Sequence, residues 1–207
     1  MTKPITRAER KREELRREII DAAFERFAES GYHATGIADI ATHLGIGHGT
    51  FYRYFENKRD IIDHVVDDVI GRIMTALSAE NAPDAPTSLA EYRAQVGRVS
   101  DALTAILLDD PRVPQLLLFE ATGIDVELTD RLYGLLDMAD AMTVEYFRHG
   151  VEAGYLRTDL DVVNSARALT GMMMANIIHG IRNSDPAAIR ALNLATQRLM
   201  FDGISAD

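Results

Sequence analysis

The stretch GIGHGTFYRYFENK, residues 45–58, preceded by IADIATHL at 37–44, decides the fold. In the leading segment Ile37, Ile40, Ala41 and Leu44 recur at i, i+3, i+4 and i+7, one face of a short helix. Gly45 and Gly47 bracket Ile46, so the chain can reverse direction within three residues. A second helix is predicted to begin near His48, with Phe51 and Phe55 four apart on its inward face. Helix, glycine turn, helix is the helix-turn-helix pattern. A helix entering the major groove needs polar groups near its N-terminus and a small residue where its backbone approaches the duplex. Gly49 meets the second need. Tyr52, Arg53 and Tyr54 offer hydroxyl and guanidinium donors for phosphates, and Lys58 adds a point charge beside them.

The run TGIADIATHLGIGHGTFYRYFENK, residues 35–58, resembles the DNA-binding segment of TetR-family transcriptional regulators, with GTFYRYF-x-NK its most specific part. The resemblance implies a three-helix N-terminal DNA-binding domain and a helical C-terminal domain that binds a small effector and dimerises, usually to repress. It also implies that Thr35, Tyr52, Tyr54 and Lys58 lie on phosphates and that His48, Gly49 and Thr50 lie at or near base edges. One residue departs from the pattern: Gly47 stands where the family often has Ser, so the recognition helix lacks a side-chain cap.

A net charge of −10 looks wrong for a DNA binder until it is divided along the chain. Residues 1–60 hold 11 Lys/Arg against 10 Asp/Glu, and the rest hold 11 against 22, so the acidity belongs to the C-terminal part. The first 17 residues carry seven bases, Lys3 through Arg17, against three acids. This basic arm reads either as a phosphate or minor-groove contact or as a solvated tail. With no cysteine, disulfides, thiolate metal sites and cysteine nucleophiles are excluded. The N-terminus lacks the apolar core of a signal peptide, and no run approaches the ~18 apolar residues of a membrane span, so a cytoplasmic location is expected.

The remaining chain reads as helix throughout, giving an all-α protein of about nine helices: a DNA-binding domain at 1–58 and an effector-binding and dimerisation domain at 59–207. Leu15, Ile19, Ala23 and Phe27 define the first helix, ended by Ser30-Gly31. From Lys58 an apolar stripe, Ile61 to Ile73, predicts a long helix to about Ala79 that touches both domains. Ser88 with Glu91 reads as a capping box opening a helix to Leu108. Further helices are expected near Val113–Phe119, Glu127–Ala153, Val162–Arg182 and Ala187–Asp202. The last two correspond, by the resemblance, to a dimer-forming pair, with Gly171, Ala175 and Gly180 allowing close approach.

The candidate effector-lining residues are Phe119, Tyr133, Met138, Met142, Tyr146, Met172 and Asn176, an apolar set with polar handles suited to a lipophilic ligand. The expected partners are double-stranded DNA, a small-molecule effector and a second copy of the chain, with no membrane and no cofactor. His149-x-x-Glu152 has metal-ligand spacing without further ligands nearby in sequence. No His-Glu-x-x-His, Gly-x-Ser-x-Gly or phosphate-loop pattern supports an enzyme. The alternatives to a regulator are a metal-dependent helical hydrolase and a ligand-free architectural DNA binder.

Overall fold

In a computed structural model, residues 6–76 and 81–205 are described. Lys3, at the start of the basic arm, and the expected helix end near Ala79 lie outside them. The described residues form nine α-helices: α1 Arg7–Ser30, α2 Ile37–His43, α3 His48–Phe51, α4 Lys58–Ala76, α5 Leu89–Leu108, α6 Arg112–Gln115, α7 Val126–Glu152, α8 Val162–Arg182 and α9 Pro186–Ile204. A π-turn at Leu116–Glu120 and a 3-10 turn at Ala121–Gly123 join α6 to α7.

Helix α1 opens on a reciprocal cap. Thr6 Oγ1 accepts from the Glu9 amide at 3.2 Å, and the Glu9 carboxylate accepts from the Thr6 amide at 2.7 Å. The helix ends at Gly31, whose φ of +83° favours glycine. The bases from Arg7 to Arg17 therefore ride on the first half of a helix and form no extended tail. Arg16 is drawn inward, its guanidinium 3.1 Å from His64 Nδ1 and 5.5 Å from the Phe55 ring centre.

The α2–α3 turn has Gly45 at φ +66°, where an L side chain would be strained, whereas Gly47 sits at φ −76°, ψ 150° as the N-cap of α3. Helix α3 is a single turn, shorter than the periodicity predicts. Phe55 lies beyond its end yet joins Phe51 in the core, the two rings 5.8 Å apart. Their burial, at ~1.5–3 kcal/mol per large apolar side chain, fixes the short helix where its own length cannot.

Helix α4 starts at an Asn57 cap, with Asn57 Oδ1 accepting from the Asp60 amide at 2.9 Å. Its Ile61, Ile62, Val65, Val66 and Val69 are buried in one core with Ile19, Phe27, Ile40, Phe51 and Phe55 on one side and Leu116, Leu117, Ala121 and Leu128 on the other. Packing thus runs unbroken past residue 58. An ion-pair cluster reinforces it: Arg59 pairs with Asp63 and with Asp125, and Arg131 of α7 reaches Asp63 at 2.7 Å and also Asp67. Asp125 also caps α7 by accepting from the Leu128 amide at 2.9 Å, and the Arg59 guanidinium holds its carboxyl below the usual carboxylate range. These pairs are partly exposed and so position α7 more than they stabilise the fold.

A second core gathers Tyr92, Phe147, Tyr155, Leu156, Met200 and Phe201 at the far end of α5, α7 and α9. Gly150 is required there: a Cβ would fall 2.5 Å from Leu156 Cδ1. Gly180 plays a similar internal part, since its Cβ would fall 2.5 Å from Leu108 Cδ2. Within the chain it lets α8 approach the end of α5 closely.

A side chain at Gly47 would meet nothing within 4 Å. Gly47→Ser should supply the missing cap to the Thr50 amide region and raise stability by a few tenths of a kcal/mol, read from the urea midpoint at fixed protein concentration.

Candidate DNA interface and effector cavity

The residues expected at base edges lie on the open face of the α2–α3 unit. His48, Gly49, Tyr52 and Arg53 are exposed and Thr50 is half-buried. Tyr52 is 55% exposed, edge-on to Phe51, so the inward face is filled by phenylalanine and this phenol is left for solvent. Arg53 Nη2 donates to Thr50 Oγ1 at 3.3 Å, which couples the two side chains. Gly49 has open space around its missing Cβ. This surface is small, polar and cationic, the combination that a groove-facing turn requires.

The other residues of the expected DNA set are placed differently. Thr35 is buried, and its hydroxyl donates to the Arg26 carbonyl at 3.0 Å and the Gly31 carbonyl at 2.9 Å. It ties the end of α1 to the start of α2, while Gly36 is the N-cap of α2, with its amide bound by Asp39 at 2.7 Å. A phosphate contact from Thr35 as placed would have to break that packing. Tyr54 is half-buried against the core. Lys58 is half-buried too: Nζ donates to the Tyr32 carbonyl at 2.8 Å and stands 4.2 Å from the centre of the Tyr32 ring. Two of its three ammonium protons remain for an outside acceptor.

Tyr32 is a junction that the sequence gives no sign of. Its carbonyl takes Lys58, its amide donates to Glu120 Oε2 at 3.1 Å, and its ring packs on Phe27 at 5.2 Å. Glu120 belongs to the π-turn, so the α1–α2 turn is held at once by Lys58 at the start of α4 and by the second half of the chain. An 88-residue separation hides that contact from any local pattern.

A cavity of about 180 Å³ lies between α5, α7, α8 and α9. At ~10–15 Å³ per water-sized sphere it holds a ligand of on the order of a dozen non-hydrogen atoms. Tyr92, Val99 and Leu103 line it from α5, Met142 and Tyr146 from α7, Leu169 and Met173 from α8, and Met200 from α9. Asn176 stands at its polar side, donating to Thr196 Oγ1 at 3.0 Å, and Asn193 continues to Thr104 Oγ1 at 2.9 Å. Burial pushes the Tyr92 phenol up, so it is neutral across the physiological range.

Of the seven candidate effector residues, Met142, Tyr146 and Asn176 line this cavity. Phe119, Tyr133, Met138 and Met172 do not, and Phe119 and Tyr133 are 58% and 62% exposed. The apolar stripe of α7 is broader than the cavity it serves, and Phe119 lies within the π-turn on the side away from the buried Leu116 and Leu117. Gln95 and the rest of the α5 wall lie outside the expected set, whose members all come from the π-turn, α7 and α8. His149 Nε2 lies 2.8 Å from the Pro86 carbonyl, and among the described residues no group of three His, Asp or Glu is arranged to hold a metal ion. His43 pairs with Glu25, and His179 lies on the exposed side of α8. Among the described residues no helix is long and apolar enough to cross a membrane.

Residues 19–65 match the sequence model of bacterial regulatory proteins of the tetR family. The chain is 26% identical over 191 residues to the fatty acid metabolism regulator protein of Bacillus subtilis, covering 90% of this chain and 94% of that one. It is 35% identical over 105 residues to the HTH-type transcriptional repressor Rv3405c of Mycobacterium tuberculosis, about half of each chain. The fold is shared with a crystal structure of FadR from Bacillus subtilis in complex with stearoyl-CoA, at a TM-score of 0.73, 23% identity, and coverage of 90% and 98% of the two chains. Residues 19–65 thus carry the helix-turn-helix segment of the TetR family of bacterial transcriptional regulators, and the chain as a whole is similar in sequence to such regulators and shares their fold.

Proposed function

We infer that this protein is a cytoplasmic, dimeric, ligand-responsive repressor that binds an inverted-repeat operator and leaves it when a small lipophilic effector fills the α5–α9 cavity. The observation that carries the reading is the shared burial of α4: one helix packs against the reading unit and against the helices that lead to the cavity. A shift of α4 moves α3 with it, and in a dimer that alters the spacing of two recognition helices. The effector acts by binding the DNA-incompetent spacing more tightly, not by undergoing a reaction. The related FadR bound to stearoyl-CoA supports a lipophilic ligand.

Helices α8 and α9 supply the dimer face. Leu194 and Leu199 are 54% and 69% exposed, and Val163 and Ile178 also face outward, beside the exposed small residues Gly171 and Ala175. Large apolar side chains at that exposure on two adjacent helices fit a self-complementary interface. On the DNA, His48, Gly49 and Thr50 take base edges, while Tyr52, Arg53, Tyr54 and Lys58 take phosphates. Thr35 contributes by fixing the entry to α2.

Selection of binding sites from fragmented DNA of the source organism, at a stated salt concentration, tests the reading. Recovery of an inverted repeat is the expected result, and no enrichment at any site would overturn it. Lys58→Ala should weaken binding across all sequences and lower the slope of log K against log salt by about 1. Because the same change frees the Tyr32 carbonyl, the comparison is made below the unfolding temperature of the variant. His48→Ala should instead relax the preferred base at one position per half-site while leaving the salt slope unchanged. Glu120→Ala should leave operator affinity within a few-fold but reduce the effector-induced loss of binding, measured by titrating ligand into the protein–DNA complex.

A further inference from the structure

The polar inventory of the cavity constrains what can fill it, given the reading that this cavity is the effector site. None of the described residues lining it carries a charge: there is no Lys, Arg, His, Asp or Glu among them. Several of its donors are already committed. Asn176 and Asn193 donate along the α8–α9–α5 network, Thr143 donates to the Ala139 carbonyl at 2.8 Å, Thr196 to the Leu192 carbonyl at 3.1 Å, and Tyr146 to the Asn81 carbonyl.

Ser100, Gln197 and the Tyr92 hydroxyl add neutral polar groups to the lining, and Gln95 adds a buried acceptor. It is 1% exposed, and its Nε2 donates to the Ala82 carbonyl at 2.8 Å. A carbonyl can only accept, so that bond fixes which end of the amide is which. Its Oε1 is then a buried acceptor with no hydrogen-bond partner among the described residues. An orphaned buried acceptor is costly, and a ligand that satisfies it recovers that cost on binding. A carboxylate cannot, because it has no proton to give, and its charge would enter an apolar chamber with no cation to meet it.

We propose that the cavity takes an electrically neutral, mainly apolar ligand whose hydroxyl or N–H donates to Gln95 Oε1. A free fatty acid anion or a phosphate-bearing conjugate seated wholly in this chamber does not fit. The assignment sets the effector class: long-chain alcohols, amides and hydroxylated hydrocarbons of on the order of a dozen non-hydrogen atoms.

The test is calorimetric titration of the full-length protein at pH 8 with 1-decanol, its isomer 1-methoxynonane, which has no donor, and decanoate. The alcohol is expected to bind about tenfold tighter than the ether, the worth of one satisfied buried acceptor, and decanoate more weakly than either. Gln95→Met should bring the alcohol-to-ether ratio to about one, and Ala139→Trp, which fills the cavity, should abolish binding of all three. The ratios in the unmodified protein stand even if Gln95→Met fails to fold. Equal affinity for alcohol and ether, or tightest binding of decanoate, overturns the donor assignment while leaving the cavity as the effector site. Absence of binding by all three, or binding that Ala139→Trp leaves intact, overturns both.

Discussion

The burial of Ile61, Ile62, Val65, Val66 and Val69 along α4 is the constraint on which the rest depends. A helix hidden on one side by α1 to α3 and on another by the α6–α7 connection cannot shift against one partner without disturbing the other, since interiors close-packed at crystal-like density deform poorly. The ion pairs of Arg59 and Arg131 sit at the margin of that core and align the start of α7 with α4. Apolar packing supplies the energy and the charges supply the register.

Tyr32 adds a second connection, shorter than the first. Through one residue's amide and carbonyl, Glu120 and Lys58 share the α1–α2 turn. Backbone groups are well suited to this, because both must find partners when buried and neither can swing aside as a long side chain can. The turn thus couples the reading unit to the π-turn ahead of α7. That π-turn is itself a wide, irregular piece of helix of the kind that often marks a site of adjustment.

Much of this was legible in the sequence where periodicity and caps agree. Ser88 does open α5 and accepts from the Glu91 amide, although Glu91 closes the box on Thr87 rather than on Ser88 itself. Helix α8 runs from Val162 to Arg182 as its pattern predicts, and the outward Tyr52 and inward Phe51 and Phe55 follow from four-residue spacing. What stayed hidden was set by tertiary contact. Thr35 looks like a free capping hydroxyl until the Arg26 carbonyl, nine residues back, is folded over it. Phe119 and Tyr133 look like cavity linings because apolar residues announce burial but not against which neighbour, and here they face solvent. Gln95 carries no apolar signal at all, and only the chamber around it gives the residue meaning.

The uncharged lining of the cavity and the cationic reading face place the two ends of the molecule under different physical control. Counterions govern an interface built on phosphates, whereas a chamber whose only titratable groups are phenols kept neutral by burial is indifferent to ionic strength and to proton concentration across the physiological range. On this reading a rise in cellular salt thins operator occupancy without changing how tightly the effector is held. The repressor would then register osmotic stress and metabolite supply as separate inputs, combined only at the promoter.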